Sequence, residues 1–330
     1  MQLSVLDQSV ACEGRDEGDA LRDTLELAVH CENLGYGRFW VSEHHGMPTI
    51  VGSAPEVLMA AIAARTTRIR IGSAGVMLPH YAALKVAEQF RVLDALAPGR
   101  IDLGVGRAPG SDSRTARALN PNAAQAADFP QQVVDLQAWT SGQRHQGLLA
   151  HPLPAPGGSP PEVWILGSSD YGAQLAAHLG LPYAFAYFFI DGQGVEQALH
   201  LYRELYRPSL RHPKPQPTIC VWALAADTEA EARHHAMSRE RWRLDRQRGV
   251  LGPLKHPDAI AVDGYTAEEW PTVEALRSRA LVGNAAQVAD GLRRLGDELG
   301  LDHLVINTWT HDPAVRRHSY ALLAQQFRQA

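Results

Sequence analysis

The chain has 330 residues, 45% hydrophobic and 20% charged, a composition typical of a globular protein rather than a disordered or fibrous one. Its 31 Lys and Arg residues are outnumbered by 36 Asp and Glu residues, for a formal net charge of -5, and this balance disfavours nucleic-acid binding. The longest apolar runs fall short of the roughly 20 residues that a membrane helix needs, and the first residues lack the pattern of a secretion signal. We therefore expect no membrane contact and a cytoplasmic location.

Strand and helix patterns alternate from one end of the chain to the other. The strand segments are short, apolar and rich in β-branched or aromatic residues, as in buried parallel strands. Strands are predicted at residues 3–8, 38–44, 68–78, 101–107, 163–168, 183–188, 218–226 and 303–310. Helices are predicted at residues 19–34, 55–65, 84–96, 131–140, 171–178, 195–205, 228–246, 285–299 and 313–329. Eight strands, each followed by a helix, predict a single (β/α)8 TIM barrel over residues 1–330.

Two stretches interrupt this alternation. Residues 141–161 and 249–279 are rich in Gly and Pro, which predicts loop insertions between barrel units. A long insertion is usually either an active-site lid or a disordered segment, and the sequence leaves both open for the second stretch. The predicted helix at 55–65 is apolar on nearly every side, which favours packing against a second subunit, with cover by the chain's own loops as the alternative.

The second predicted strand ends in Glu43-His44-His45. Reactive groups of such barrels lie at the carboxyl ends of the strands. Because side chains alternate along a strand, only one of these two histidines can point into the barrel mouth. An adjacent His-His pair is also a poor metal chelate, so acid or base catalysis is the preferred functional interpretation of His44. A hydrogen-bonded structural histidine is the alternative.

The third and fourth strands carry small residues, in Gly72-Ser73-Ala74-Gly75 and in Gly104-Val105-Gly106. Glycine inside a strand indicates the close approach of a flat group or of another backbone. Arg107 follows directly, and its planar guanidinium suits a phosphate or carboxylate, with a solvated or ion-paired arginine as the alternative. These glycines do not make a dinucleotide-binding fingerprint, because they lie inside the strand and not after it.

The fifth strand leads into a helix through Ser168-Ser169-Asp170-Tyr171-Gly172. A serine-rich turn at a helix start presents hydroxyls and free backbone N–H groups at the positive end of the helix dipole, which favours phosphate binding. Simple capping of the helix by Ser169 or Asp170 explains the same residues equally well. Combined with Arg107 and the small residues of two strands, the turn predicts a site for a phosphorylated planar cofactor.

Three runs of sequence carry a family resemblance. They are Phe39-Trp40-Val41-Ser42-Glu43-His44-His45, Gly72-Ser73-Ala74-Gly75-Val76-Met77-Leu78-Pro79, and the stretch from Lys85 to Gly104. On these runs the chain resembles the bacterial luciferase-like flavin monooxygenases, whose fold is a (β/α)8 barrel that binds FMN. Later segments, among them Thr308-Trp309-Thr310-His311-Asp312, extend the likeness over nearly the whole chain.

The resemblance implies a role for each candidate site residue. His44 corresponds to the catalytic histidine, and Ala74 and Gly75 correspond to the strand on which the flavin ring lies. The residues that correspond to the phosphate site, with Ser168 close by, are Arg107, Ser169, Tyr171 and Gly172. No metal site is implied.

The resemblance also implies a reaction and partners. Reduced FMN, supplied by a separate flavin reductase, reacts with O2 to give a C4a-peroxyflavin, which oxygenates a small organic substrate inside a dry barrel mouth. A homodimer formed through the second helix is expected.

Two departures from the family pattern affect the site. His80-Tyr81-Ala82-Ala83 replaces the usual Asn-His-Ser-Pro, which alters the pocket, and Gly172 stands where the phosphate turn usually carries a hydroxyl. The alternatives to an FMN monooxygenase are a deazaflavin (F420)-dependent oxidoreductase, a non-catalytic flavin-binding barrel, and a metal-dependent barrel hydrolase.

Overall fold

Parallel strands and helices alternate along the chain in the computed structural model, which describes residues 1–121 and 128–327. The strands in this part of the chain are β1 (Gln2–Asp7), β2 (Arg38–Val41), β3 (Arg70–Met77), β4 (Ile101–Gly106), β5 (Glu162–Gly167), β6 (Tyr183–Phe185), β7 (Pro217–Ala226), β8 (Leu281–Asn284) and β9 (His303–Asn307). The helices are α1 (Glu17–Leu34), α2 (Pro55–Ala63), α3 (Ala83–Leu96), α4 (Ser113–Leu119), α5 (Phe129–Thr140), α6 (Asp170–Leu179), α7 (Tyr187–Ile190), α8 (Val195–Glu204), α9 (Glu229–Gln247), α10 (Pro257–Asp263), α11 (Trp270–Arg279), α12 (Ala285–Leu299) and α13 (Pro313–Phe327).

Eight of the described strands close into a barrel. They pair in the order β1-β2-β3-β4-β5-β6-β7-β9, and β9 pairs with β1. Every pairing is parallel, with Val5 opposite Phe39 on β2 and opposite Ile306 on β9. The predicted (β/α)8 barrel is therefore confirmed, and its eight strands correspond to the eight predicted segments.

The amino-terminal end of the barrel is closed by a layer of ion pairs. The Asp102 carboxylate accepts hydrogen bonds from Arg38 at 2.7 Å and from the Trp40 indole at 2.9 Å, and Arg38 also contacts Glu162 at 2.8 Å. These residues stand at or near the first positions of β2, β4 and β5. Above them Leu6, Trp40, Trp164, Ala184, Cys220 and Val305 fill the interior. A ligand can therefore enter only from the carboxyl ends of the strands.

One described strand, β8, lies outside the closed ring and was missed in the sequence. It pairs with Ala223–Ala226 at the far end of β7. It is only four residues long and mostly half-buried, so it lacks the apolar run that reveals a barrel strand.

The prediction of a strand over residues 183–188 was wrong in its second half. β6 ends at Phe185, and Tyr187–Ile190 forms one helical turn, α7. The backbone N–H of Ala186 bonds the carbonyl of Gly167 at 2.8 Å, which turns the chain out of the sheet. A continuous apolar run such as Tyr-Phe-Phe-Ile fits either structure, and periodicity alone does not separate them.

The second insertion is built from two helices that the sequence did not reveal, α10 and α11. Both pack against α9. α10 does so through Asp258 to His234 at 2.8 Å, and α11 through Arg277 to Glu240 at 2.9 Å and through its N-cap residue Glu269 to Arg241 at 2.7 Å. In the first insertion the described chain forms turns, with a bridge between His145 and Leu148.

The predicted final helix begins at Pro313 as expected, and residues 328 and 329 of that prediction lie outside the described residues. In the described part of the chain no helix is long and apolar enough to cross a membrane.

Candidate active site

His44 lies just beyond β2, at the open end of the barrel. The predicted strand ended at His44, but β2 ends at Val41, because the backbone N–H of His44 bonds Gly52 and that of His45 bonds Gly110. His44 nevertheless faces inward, towards Gln8 at the end of β1, with 3.4 Å between His44 Nε2 and Gln8 Nε2. One histidine of the pair therefore faces the mouth, as the alternation of side chains predicts.

The orientation of the Gln8 amide is fixed by its other partners. Gln8 Oε1 accepts hydrogen bonds from Asn307 at 3.1 Å and from the Trp309 indole at 3.2 Å. An indole N–H is only a donor, so the oxygen of Gln8 must face Trp309 and its NH2 must face His44. His44 Nε2 then accepts a hydrogen bond and carries no proton. The tautomer assigned to His44 is the neutral ring with its proton on Nδ1.

Burial keeps His44 neutral. Loss of solvent lowers the pKa of His44 to about 4, a hydrogen bond to the backbone of Gly110 opposes this shift, and the charges of His45 and Arg246 add to it. The neutral ring can accept a proton at Nε2, which is what a general base must do.

His45 belongs to a separate network on the outer side of β2. Its Nε2 lies 2.6 Å from Glu43 Oε1, which also accepts a hydrogen bond from Tyr81 at 2.6 Å. Glu43 Oε2 accepts from the backbone N–H of Met77 at 2.9 Å, so this buried carboxylate ties the ends of β2 and β3 together. The pKa of Tyr81 is raised, first by burial and then by its bond to Glu43. Tyr81 is one of the residues that depart from the family pattern.

The small residues of β3 and β4 pack against each other. A Cβ added at Gly75 would collide with Leu166 and come within 2.8 Å of the Gly104 carbonyl, and one added at Gly104 would collide with the Ser73 carbonyl. The peptide between Ala74 and Gly75 is cis, and the pairing with β4 shifts register between Ala74 and Val76. The sequence left two explanations for these glycines, a flat ligand or a closely packed backbone. Close approach of the protein's own backbone accounts for them.

Ala74 faces the open part of the interior. Together with Leu166 and Phe188 it is half-buried against the apolar cluster that fills the barrel. These three side chains line an apolar floor below the strand ends, on which a planar ring can lie.

Arg107 and Tyr171 meet where β4 ends and α6 begins. The Arg107 guanidinium lies 4.0 Å from the centroid of the Tyr171 ring, and both side chains are exposed. A guanidinium stacked on a ring keeps its in-plane N–H donors free for a phosphate.

The start of α6 offers further unused donors. Ser169 is the N-cap residue, but its hydroxyl makes no capping hydrogen bond. Ser168 precedes it, and Gly172, in the first turn of the helix, is buried. The helix start adds free backbone N–H groups and the positive end of its dipole. Hydroxyls, backbone donors and one guanidinium at the same place match a phosphate group, whereas the Asp170 carboxylate in this turn opposes one.

The predicted residues are thus distributed over adjacent strand ends. His44, Arg107 and the serine turn follow β2, β4 and β5, and Ala74 with Gly75 lies within β3; these four strands are neighbours in the barrel. Sequence reasoning missed Gln8 and Glu43 as partners of the histidines. Gln8 could have been identified from its sequence position, because it is a polar residue at the end of the first strand. Trp309 entered the sequence analysis only as part of a family motif. Across residues 1–121 and 128–327, no group of three His, Cys, Asp or Glu residues is arranged to hold a metal ion.

Comparison with known proteins gives consistent similarities. The family model described as luciferase-like monooxygenase matches residues 1–303. A luciferase-like monooxygenase of Escherichia coli (strain K12) is 40% identical over 322 residues, covering 97% of this chain and 95% of the relative. The N-acetyl-S-alkylcysteine monooxygenase of Bacillus subtilis (strain 168) is 35% identical over 335 residues, covering 98% and 97%.

Solved structures show the same likeness. The crystal structure of apo-MsnO8 is 36% identical, has a TM-score of 0.90 and covers 99% of this chain and 98% of that one. The oxygenating constituent of 3,6-diketocamphane monooxygenase from Pseudomonas putida, solved with FMN, is 18% identical with a TM-score of 0.71, covering 98% of this chain and 97% of that one. An F420-dependent secondary alcohol dehydrogenase is 14% identical with a TM-score of 0.70, covering 99% of each chain. The last two likenesses concern the fold alone.

Proposed function

The chain belongs to the luciferase-like monooxygenase family and is a flavin-dependent monooxygenase, and from this premise we propose that it uses reduced FMN and O2, through a C4a-peroxyflavin, to oxygenate a small organic substrate. One oxygen atom enters the substrate and the other leaves as water. Reduced FMN supplies the two electrons and two protons that this balance requires. One observation carries the proposal. A set of hydrogen-bond donors suited to a phosphate and a neutral histidine lie at the ends of nearby strands of the same barrel.

The phosphate of FMN is held at the start of α6. Arg107 provides a charged fork, and Ser168, Ser169 and the backbone at Tyr171 and Gly172 provide uncharged donors. From this turn to His44 there are three steps between adjacent strands, roughly 14 Å at about 4.8 Å a step. FMN bound in this way would reach across this interval, with Ala74 and Gly75 of β3 supporting its ring.

His44 moves a proton at the reacting end of the flavin. Its unprotonated Nε2, held by the long 3.4 Å hydrogen bond from Gln8, would give up that bond to take a proton from the substrate and would return the proton to the departing oxygen. Gln8 orients the ring but donates no proton to the reaction, since its NH2 only fixes the tautomer of His44. The apolar floor keeps bulk water away from the reacting atoms.

We also propose that two copies associate through α2 and α3. Val57 on α2 is 64% exposed, and Val92 and Leu96 on α3 are 47% and 66% exposed. The two helices pack side by side, and exposed apolar residues on neighbouring helices are of the kind that marks an interface. A separate flavin reductase supplies reduced FMN in this proposal, and the whole chain acts as one barrel unit.

The deciding experiment is an anaerobic titration of the purified protein with reduced FMN, followed by oxygen and an absorbance record. The expected results are tight binding and a peroxyflavin spectrum that outlives that of free flavin. His44→Ala should bind FMN as the wild type does while turnover falls by about 10²-fold, the usual loss for an acid or base. Failure to bind either redox form of FMN, with binding of a deazaflavin instead, would overturn the proposal in favour of an F420-dependent enzyme. FMN binding without any stabilised oxygen adduct would leave a flavin-binding barrel that does not catalyse oxygenation.

A further inference from the structure

The indole of Trp222 is a buried donor without an acceptor. Trp222 lies on β7, is 7% exposed, and its Nε1 has no hydrogen-bond partner in the described chain. A buried N–H left without an acceptor costs free energy on the order of 1 to 3 kcal/mol. Such a group is kept where a ligand or water completes the bond.

Arg239 of α9 lies over the same indole. Its guanidinium carbon is 4.3 Å from the centroid of the Trp222 ring, and its hydrogen bond is a long one, 3.4 Å to the carbonyl of Phe188. No carboxylate of the described residues lies within ion-pair distance of Arg239, whereas its neighbour Arg243 forms a bidentate pair with Asp191 at 2.6 and 2.8 Å. Burial lowers the pKa of Arg239 to about 9, so it remains charged at neutral pH.

The surrounding charges favour an anion. Arg239, Arg243 and Arg246 are spaced on one face of α9, where residues i, i+4 and i+7 align. Arg246 stacks on Phe189 and Trp242 and is close enough to His44 for its charge to lower the pKa of that histidine. The row therefore runs along the barrel mouth. Two carboxylates lie near it, but Asp191 pairs with Arg243 and Glu240 pairs with Arg277, which leaves Arg239 without an ion-pair partner among the described residues.

A small cavity joins Trp222 to Arg239. Its wall also contains Arg243, the ion pair between Glu240 and Arg277, and the side chains of Arg233, Ala236, Leu276, Ala280 and Val282, and it is a narrow space of ≈ 350 Å³ including its opening. This space suits the end of a molecule, such as one carboxylate oxygen, rather than a whole ligand. Phe188 packs against both the Trp222 cluster and the interior cluster with Ala74, so the cavity adjoins the predicted flavin floor.

We propose that Arg239 and the Trp222 indole form a subsite for a carboxylate group of the organic substrate. The indole N–H has no acceptor, the guanidinium has only a long hydrogen bond to Phe188, and both side chains line the same cavity. A carboxylate placed there accepts from both donors and anchors the substrate while the other end of the substrate reaches the flavin. This inference rests on the proposed function, because the ligand is taken to be the substrate of the monooxygenase reaction. The preference of the subsite for an acid over its neutral amide is measured by binding alone, without turnover.

The test is calorimetric titration of the protein loaded with oxidised FMN. The probes are N-acetyl-S-methylcysteine and phenylacetate, each compared with its neutral primary amide. At least one acid should bind roughly tenfold or more tightly than its amide, the scale of a charge-assisted contact. Arg239→Gln should reduce the affinity for that acid to that of the amide, and Trp222→Phe should weaken it several-fold. Arg233→Gln is the matched control, because Arg233 also lines the cavity but pairs with Glu229 at 2.6 Å.

Three outcomes overturn the inference. The first is that neither acid is preferred over its amide by the wild type, and the second is that Arg239→Gln keeps the preference. The third is that Arg239→Gln weakens FMN but not riboflavin, which would assign the cavity to the flavin phosphate. Melting temperatures show whether the variants are folded. If Arg239→Gln is unstable, Arg239→Lys replaces it in the titration, because lysine keeps the positive charge but lacks the planar set of guanidinium donors. Wild-type protein that binds no FMN contradicts the proposed function, while the same acid and amide pairs still test the subsite in the unloaded protein.

Discussion

The side-chain amide of Gln8 and the imidazole of His44 meet nitrogen to nitrogen, with 3.4 Å between the two Nε2 atoms. Asn307 and Trp309 hold the other end of the amide, so the pair works in one direction only, with Gln8 donating and His44 accepting. The tautomer of His44 is thus set by a residue at the end of a different strand, while burial keeps the ring neutral.

Gln8→Glu should reverse this relationship. A carboxylate cannot donate, so His44 must carry the proton at Nε2, and an opposite charge at this distance raises a histidine pKa by about 1 to 3 units. The pKa of His44 should rise from about 4 towards the neutral range, and turnover near pH 6 should fall because the base is already protonated. Ring NMR of His44 across pH measures the shift. Gln174→Glu, the same change on the exposed face of α6, is the control, and an unmoved His44 titration in Gln8→Glu would remove Gln8 from the site.

Arg107→Ala should weaken FMN binding by roughly 1.5 to 3 kcal/mol, the value of a hydrogen bond to a charged group. Riboflavin lacks the phosphate and should bind both proteins equally. Fluorescence titration with the two flavins separates the effects, and Arg114→Ala, an exposed arginine on the neighbouring α4, should change neither. Equal losses for FMN and riboflavin would mean that Arg107 supports the loop and does not contact the phosphate.

One substitution, glycine to alanine, should have opposite effects at two positions. At Gly75 the new methyl group meets Leu166 and the Gly104 carbonyl, so β3 and β4 must separate and the protein should lose stability. At Gly172, in the first turn of α6, the closest atoms lie 3.4 Å or more away, and alanine should add up to about 1 kcal/mol through helix propensity. Urea unfolding of the two variants measures both signs. A stable Gly75→Ala protein would show that the strands yield easily.

Leu96→Glu combined with Val57→Glu should convert a dimer into monomers, because two carboxylates would be buried in the proposed apolar contact. Analytical ultracentrifugation measures the change. Val262→Glu is the matched control, since Val262 is 87% exposed on α10, away from α2 and α3. A wild type that sediments as a monomer at micromolar concentration would refute the interface.

Periodicity in the sequence located the barrel strands because each one is a compact apolar run, and it failed where that signal is absent. β8 has four mostly half-buried residues, and α7 is an apolar turn that resembles a strand. The candidate site followed from the rule that chemistry lies at strand ends, which is why His44 and Arg107 stood out. Glu43 and Gln8 were missed because their importance lies in contacts across the chain, to Tyr81 and to Trp309, and no local pattern encodes these.

The protein should lose stability between pH 6.5 and pH 4, partly through His303. This side chain starts β9, lies 2.8 Å from the Ser4 hydroxyl, and burial, followed by the charge of Arg38, lowers its pKa to about 4. In this range the unfolded chain binds a proton at this position and the folded chain does not, so the free energy of unfolding falls as pH falls. The contribution is complete above pH 6.5 and is lost as the pH approaches 4. His303→Gln removes the titrating group, so its urea unfolding free energy should change less from pH 7 to pH 5 than that of the wild type. His200→Gln, on the exposed face of α8, controls for the loss of a histidine, and equal slopes for His303→Gln and wild type would show that His303 is protonated in the folded protein.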